Sequence, residues 1–154
     1  MSSYEELEAC IELENKCAGI YRALSRLFPE AESLFRELAI EEENHALILK
    51  VARTYVMGDK LSQETVVPVS VLHIKESLKI ADNIANEIES GDIILKKALD
   101  MSLLLERSLG ESYLHDKMTG ESDSEIILKL QKLHFDEGAH IKRIQDFLIK
   151  KGIE

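Results

Sequence analysis

The sequence predicts an all-α protein: a four-helix bundle of two antiparallel hairpins, joined by a long crossover that carries an extra helix. Three observations predict it. Apolar residues recur at helical spacing through nearly all of the 154 residues. Proline occurs only at Pro29 and Pro68 and glycine only seven times, so little interrupts a helix. The interruptions that do occur divide the chain by connections that are short, long and short, which is the connectivity of two hairpins and a crossover. A chain of this length is expected to form one domain, residues 1–154, and to bury most of the surface it exposes when unfolded.

The first helix is predicted from about Ser3 to Phe28, with Leu7, Cys10, Ile11, Glu14, Cys17, Ala18, Tyr21, Leu24 and Phe28 on one face, and Pro29 breaks it. The second, from about Glu30 to Val56, places Phe35, Leu38, Glu42, His45, Leu49, Ala52 and Val56 along a stripe, and Gly58 closes it. Asp59 to Ser70, which includes Thr65-Val66-Val67-Pro68, reads as the long irregular connection, and Val71 to Glu89 as the extra helix of the crossover. Ser90-Gly91-Asp92 ends that helix and caps the next, on which Leu95, Leu99, Ser102, Glu106, Leu109 and Tyr113 share a face until Gly120. Ser122 or Ser124 caps the last helix, whose stripe of Ile126, Leu130, Leu133, Glu137, His140, Ile144 and Phe147 runs to a Lys150-Lys151-Gly152 ending.

A formal charge of −10 argues against a nucleic-acid partner or an anionic membrane surface, since both require a basic face. No apolar run approaches the ~18 residues that cross a bilayer. The start, Met1-Ser2-Ser3-Tyr4-Glu5-Glu6, has no basic and apolar signal region, so a cytoplasmic, soluble protein is expected. Cys10 and Cys17 are the only cysteines, roughly 10 Å apart by helical rise, too far for a disulfide within one helix.

Four of the apolar stripes are breached by metal-type ligands. In chain order the breaches are Glu14, then Glu42 with His45, then Glu106, then Glu137 with His140. Each lone Glu is followed seven residues on by a tyrosine, Tyr21 or Tyr113, and then by a Glu-x-x-His, so the two hairpins read as copies. Four carboxylates buried together must take up protons or be neutralised by cations, and two divalent ions are the simplest neutraliser. Residues three apart on a helix share a face, so each Glu-x-x-His brings a carboxylate and an imidazole to one centre. Carboxylates bridge ion pairs, and one imidazole per ion leaves open positions, an arrangement suited to iron or manganese. A closed zinc site would favour thiolates. Glu42 and Glu137 are expected to bridge, Glu14 and Glu106 to bind terminally, and His45 and His140 each to cap one ion. A single Glu-x-x-His arises readily by chance; it is the pair, each on an apolar stripe and each preceded by a lone Glu, that makes the signal specific.

On these residues, Glu14 to Tyr21, Leu38-Ala39-Ile40-Glu41-Glu42-Glu43-Asn44-His45, Glu106 to Tyr113, and Glu137 to His140, the chain resembles the ferritin-like diiron carboxylate proteins over nearly its whole length, most closely the short rubrerythrin-like branch. The resemblance implies a ferritin-like bundle holding two non-haem iron ions, and a cytoplasmic oxidoreductase that reduces hydrogen peroxide with electrons from an external donor. It also implies a homodimer. Where rubrerythrins carry a further Glu, one turn after the third-helix ligand, this chain has Leu109. The remaining six ligands are also similar to a bacterioferritin ferroxidase centre, so an iron-handling or storage protein that uses oxygen is the alternative. The position of a bacterioferritin haem-binding Met holds Glu43, so haem is not expected. No Cys-x-x-Cys is present, so the electron donor must be a separate molecule, such as a rubredoxin-type protein. A metal-free interaction bundle with a polar layer is the third reading.

Other residues support or surround this set. Tyr21 and Tyr113 read either as core aromatics or as partners of the ligands. Cys17, one turn beyond Glu14, reads as a small buried hydrophobe. Glu41 and Glu43 are expected on a solvated face, and His73, His115 and His134 as surface or structural histidines, with His134 placed to orient a ligand. Gly138 costs ~1 kcal/mol in a helix interior relative to Ala, which points to close helix approach or oxidant access there.

Overall fold

In the computed structural model, which describes residues 3–58, 71–112 and 125–153, α1 spans Ser3–Leu27 and stops because of Pro29. Clash with the proline ring excludes the helical region for the residue before it, and Phe28 sits at φ −123°, ψ 83°. Pro29–Ala31 make one 3₁₀ turn, closed by Ala31 N–H donating to Phe28 O at 2.9 Å, and α2 follows over Glu32–Met57. Glu30, expected in the second helix, belongs to this turn instead.

Contacts between α1 and α2 run in opposite directions along the two helices. Phe35 stacks on Tyr21, Glu42 lies beside Glu14, and Arg53 pairs with Glu8, so the helices form an antiparallel hairpin. The extra helix, α3, spans Val71–Ser90. It ends at Gly91, whose φ of 76° is the left-handed conformation that glycine adopts at least cost. The next helix, α4, spans Leu95–Ser112 and hydrogen-bonds back to α3 through Ser77 and Ser108. Finally α5 spans Glu125–Lys150 and closes with Gly152 at φ 65°, Ile153 N–H reaching Leu148 O at 3.0 Å in a Schellman ending.

All described residues outside turns are helical, with no strand among them. On α2, α5 runs antiparallel: Asp136 meets His45, His140 meets Glu41, and Arg143 meets Glu37. On the other side α3 packs against α1, where Lys16 pairs with Asp82, and against α4. The expected connection at Asp59 to Ser70, Tyr113, the end at Gly120 and the caps at Ser122 or Ser124 lie outside the described residues. No described helix is long and apolar enough to cross a membrane.

The core lies where the stripes converge. Tyr21, Phe35, Leu13, Leu24, Leu38, Leu49, Leu99 and Leu105 are fully buried, and each such side chain stabilises the fold by ~1.5–3 kcal/mol. That surplus is what allows polar side chains to occupy the middle of the same stripes.

Candidate metal centre

Each candidate ligand is buried because its helix buries the turns on either side of it. Glu14 lies between Cys10 and Cys17 on α1, Glu42 and His45 between Leu38 and Leu49 on α2, Glu106 between Ser102 and Leu109 on α4, and His140 between Leu133 and Ile144 on α5. Glu14, Glu42, Glu106 and His140 have no solvent exposure and His45 has 2 %.

These five side chains form two groups. Glu14, Glu42 and His45 make one, and Glu42, Glu106 and His140 the other, with the ligand atoms of each group within 4.8 Å of one another. Both groups can hold a metal ion, and Glu42 belongs to both, the placement a bridging carboxylate requires. The imidazoles lie nearly parallel, ring centroids 5.6 Å apart. Glu137 occupies α5 one turn before His140, but its side chain lies outside the described residues. Tyr113 does too.

Both histidines point Nδ1 at the carboxylates. His140 Nδ1 lies 2.9 Å from Glu42 Oε1 and 3.3 Å from Glu106 Oε2, and His45 Nδ1 lies 3.5 Å from Glu42 Oε2 and 3.7 Å from Glu14 Oε2. A bare Nδ1 lone pair facing a carboxylate oxygen is repulsive, so a cation must lie between them, either a proton or a metal ion. Burial favours neutral His140, yet the carboxylates of Glu106, Glu41 and Glu42 against its ring outweigh that and hold it protonated far above the usual imidazole range. Burial, reinforced by the neighbouring Glu42 charge, pushes the Glu14 carboxyl well up. Burial pushes Glu42 the same way, but the Glu14 carboxyl, His140 and His45 that face it prevail and hold it ionised, so of the two carboxyls Glu14 carries the proton. Among the described residues, none of their four oxygens has a hydrogen bond of good geometry, which is costly for buried carboxylates unless ions take them up.

The other nitrogen of each ring faces outward to an acid. His45 Nε2 lies 3.2 Å from Asp136 Oδ2, and His140 Nε2 lies 3.2 Å from Glu41 Oε2. The Asp136 carboxylate only accepts, so His45 Nε2–H donates and its Nδ1 is left to ligate; His140 Nε2 forms an ion pair with Glu41, and the hydrogen bond of that ring to Glu106 runs through Nδ1. Glu41 is itself clamped by Arg143, and its carboxyl is held down to about 2, first by His140 and, against the opposing effect of burial, by Arg143. Glu41 and Glu43 are both part-exposed, as the sequence predicts, and both are paired: Glu41 with His140 and Arg143, Glu43 with Arg22 at 2.6 Å.

The chain matches no protein-family model, no curated protein and no solved structure. Its chemistry therefore rests on its own geometry.

Asp136 and Glu41 border the candidate centre in a way that the spacing of ligands does not announce. A signal exists, since each directly precedes a Glu-x-x-His, as Glu41-Glu42 and as Asp136-Glu137, and each serves the histidine of the other copy. Tyr21 is fully buried and its hydroxyl donates to Glu106 Oε1 at 2.5 Å, the length of a charge-assisted bond. Burial and the Glu106 charge push the phenol well above its ordinary value, so it remains a donor. Cys17 is buried beside this pair and belongs to neither ligand group. His73 is half-buried on α3 and likewise belongs to neither, while His115 and the His134 side chain lie outside the described residues. At Gly138 the expectation of close helix approach is corrected: a Cβ there would meet nothing within 4 Å, and the residue is exposed.

Proposed function

We propose that this chain is a ferritin-like, rubrerythrin-like diiron oxidoreductase that reduces hydrogen peroxide with electrons from an external donor. The single observation that carries the reading is the pair of buried Glu/His groups sharing Glu42. The donor set of carboxylates and one imidazole per group suits iron or manganese, and the unsatisfied oxygens of Glu14 and Glu42 fit a pair of divalent ions. Glu14, Glu42 and His45 would hold one ion and Glu42, Glu106 and His140 the other, with Glu137 as a second bridge. Iron bound there would pass two electrons to each peroxide, one from each ferrous ion, and the external donor would restore them.

The chain's own residues prepare that chemistry. Glu42 holds its charge at the centre of the site. Glu14 and His140 Nδ1 give up protons as ions bind, so the site exchanges protons for metal charge. Asp136 keeps the proton of His45 on Nε2, leaving Nδ1 to ligate, and Glu41 holds the outer edge of the His140 ring by charge. Tyr21 holds Glu106 Oε1, which would leave Oε2 to an ion, and the full burial of Glu14, Glu42 and Glu106 keeps bulk water from the site.

A second reading, ferrous iron oxidation by oxygen for storage or transfer, is favoured by one observation: Leu109, fully buried one turn after Glu106, supplies no seventh ligand. Anaerobic ferrous loading, followed by rapid mixing with peroxide or oxygen while near-ultraviolet absorbance of the diferric product is recorded, separates the two. Faster oxidation by peroxide, reversed by a reductant, is expected. Faster oxidation by oxygen that continues past the bound iron would move the assignment to the second reading, and failure to take up metal would leave a metal-free bundle. Glu106→Ala and Glu137→Ala should each lose at least one of the two ions; two ions retained in either variant contradict the ligand assignment.

A further inference from the structure

The two copies of Glu-x-x-His part company three residues after the histidine. Read from the acid that precedes each motif, α2 carries Glu41, Glu42, His45 and then Ile48, whereas α5 carries Asp136, Glu137, His140 and then Arg143. A residue three places on lies on the same face of its helix as the histidine. On α5 that residue is a cation, and it grips Glu41 through Nη2 while Nη1 lies 3.7 Å from Glu37 Oε2. On α2 it is Ile48, an apolar side chain packed against the core, which can neutralise no acid.

The two outer acids therefore act on their histidines with different charge. Asp136 has His45 as its partner among the described residues and accepts the Nε2–H at 3.2 Å with its charge undivided. Glu41 divides its charge between His140 Nε2, at 3.2 Å, and the Arg143 guanidinium. An acid behind a ligating imidazole makes that imidazole a stronger ligand, and an acid already neutralised by a cation does so less. The inner contacts act in the same direction. His140 Nδ1 is held 2.9 Å from Glu42 and 3.3 Å from Glu106, whereas His45 Nδ1 stands 3.5 Å from Glu42 and 3.7 Å from Glu14, so an entering ion has closer contacts to open on the His140 side.

We propose that Arg143 makes the two halves of the centre unequal: Glu14, Glu42 and His45 take the first ion and hold it tightly, and Glu42, Glu106 and His140 take the second and release it more readily. Arg143 is a positioning residue, since it acts on the second ion only through Glu41 and His140. The inference rests on the metal reading and adds which half of the centre exchanges its ion.

Zinc titration of the full chain, isotope-labelled in its histidine ring nitrogens, tests it by nuclear magnetic resonance, with His45→Gln and His140→Gln assigning the two signals. The His45 Nδ1 signal should move with the first equivalent of zinc and that of His140 only with the second. By chelator competition, Arg143→Gln should raise the affinity for the second ion about 10-fold with helicity unchanged, the size of effect that outer partners of a ligand have. Arg143→Lys keeps the cation and should keep the wild-type affinities. Ile48→Arg, which offers Asp136 the same clamp, should instead weaken the first ion. The proposal is overturned if His140 moves first or the two rings move together, if Arg143→Gln leaves the second affinity unchanged or lowers it, or if Arg143→Lys behaves like Arg143→Gln. In each of those cases the metal reading still stands, whereas zinc that moves neither ring overturns both.

Discussion

Asp136 on α5 holds the outer nitrogen of His45 on α2, Oδ2 to Nε2 at 3.2 Å. The reverse pairing, Glu41 on α2 with Nε2 of His140 on α5, has the same length. Asp136 thus sets the proton of His45 and Glu41 pairs by charge with His140, so each acid serves the histidine of the opposite Glu-x-x-His and the two halves of the candidate centre are joined through their outer contacts.

Removing those contacts should weaken metal binding without unfolding the bundle, since Asp136 and Glu41 are partly exposed. Asp136→Ala and Glu41→Ala are each expected to lower affinity for ferrous or zinc ion by about 10–100-fold. Competition against a chromophoric chelator measures it; unchanged affinity in both variants would falsify the role given to these acids.

The metal-free protein should be less stable at pH 8 than at pH 5. Glu14 has its folded pKa raised, so the native state holds a proton that the unfolded chain has released above ~4.3, and stability declines as pH rises through that window. His140, also raised, contributes stability that is complete below ~6.5 and is lost as pH climbs through its folded value. Glu41, held at about 2, acts in the opposite sense, its contribution being present above ~4.3 and lost toward pH 2, so the optimum falls near pH 5. Urea denaturation with a chelator present checks the slope. Glu14→Gln should flatten it, and loading the wild type with metal should release about two protons per chain, from Glu14 and His140.

Tyr21→Phe keeps the ring against Phe35 and removes only the hydroxyl that serves Glu106. A buried charged acceptor deprived of its donor costs ~1–3 kcal/mol. The urea midpoint of the metal-free variant should fall accordingly, and an unchanged midpoint would mean that the bond contributes nothing.

Gly19 lies exposed in the interior of α1, and an added Cβ would meet nothing within 4 Å. Gly19→Ala should therefore stabilise the protein by ~0.5–1 kcal/mol through helix propensity alone. A lowered melting temperature would reveal a contact on that face.

Helix content, the break at Pro29 and the endings at Gly91 and Gly152 were legible in the sequence, because periodicity, proline sterics and left-handed glycine act between near neighbours on the chain. So was the set of polar residues that enter the core: a Glu at position 14, 42 or 106 within an apolar stripe is buried whatever the stripe packs against. Less legible were the roles of Asp136, Glu41 and Arg143. Nothing local separates Glu41 from Glu43, which flank Glu42 on either side, yet one holds His140 and the other an exposed Arg22.

The sequence by itself therefore determined the helices, their buried faces and the candidate ligands. Only the tertiary structure decided that Glu42 belongs to both ligand groups, that Tyr21 serves Glu106 on a helix 85 residues away, and that each histidine takes its outer partner from the opposite half. The reason is geometric. Which residues share a face follows from 3.6 residues per turn, whereas which residues of different helices meet depends on how far each helix is rotated and shifted against its neighbour, a property of packing between segments as far apart as Glu41 and Arg143.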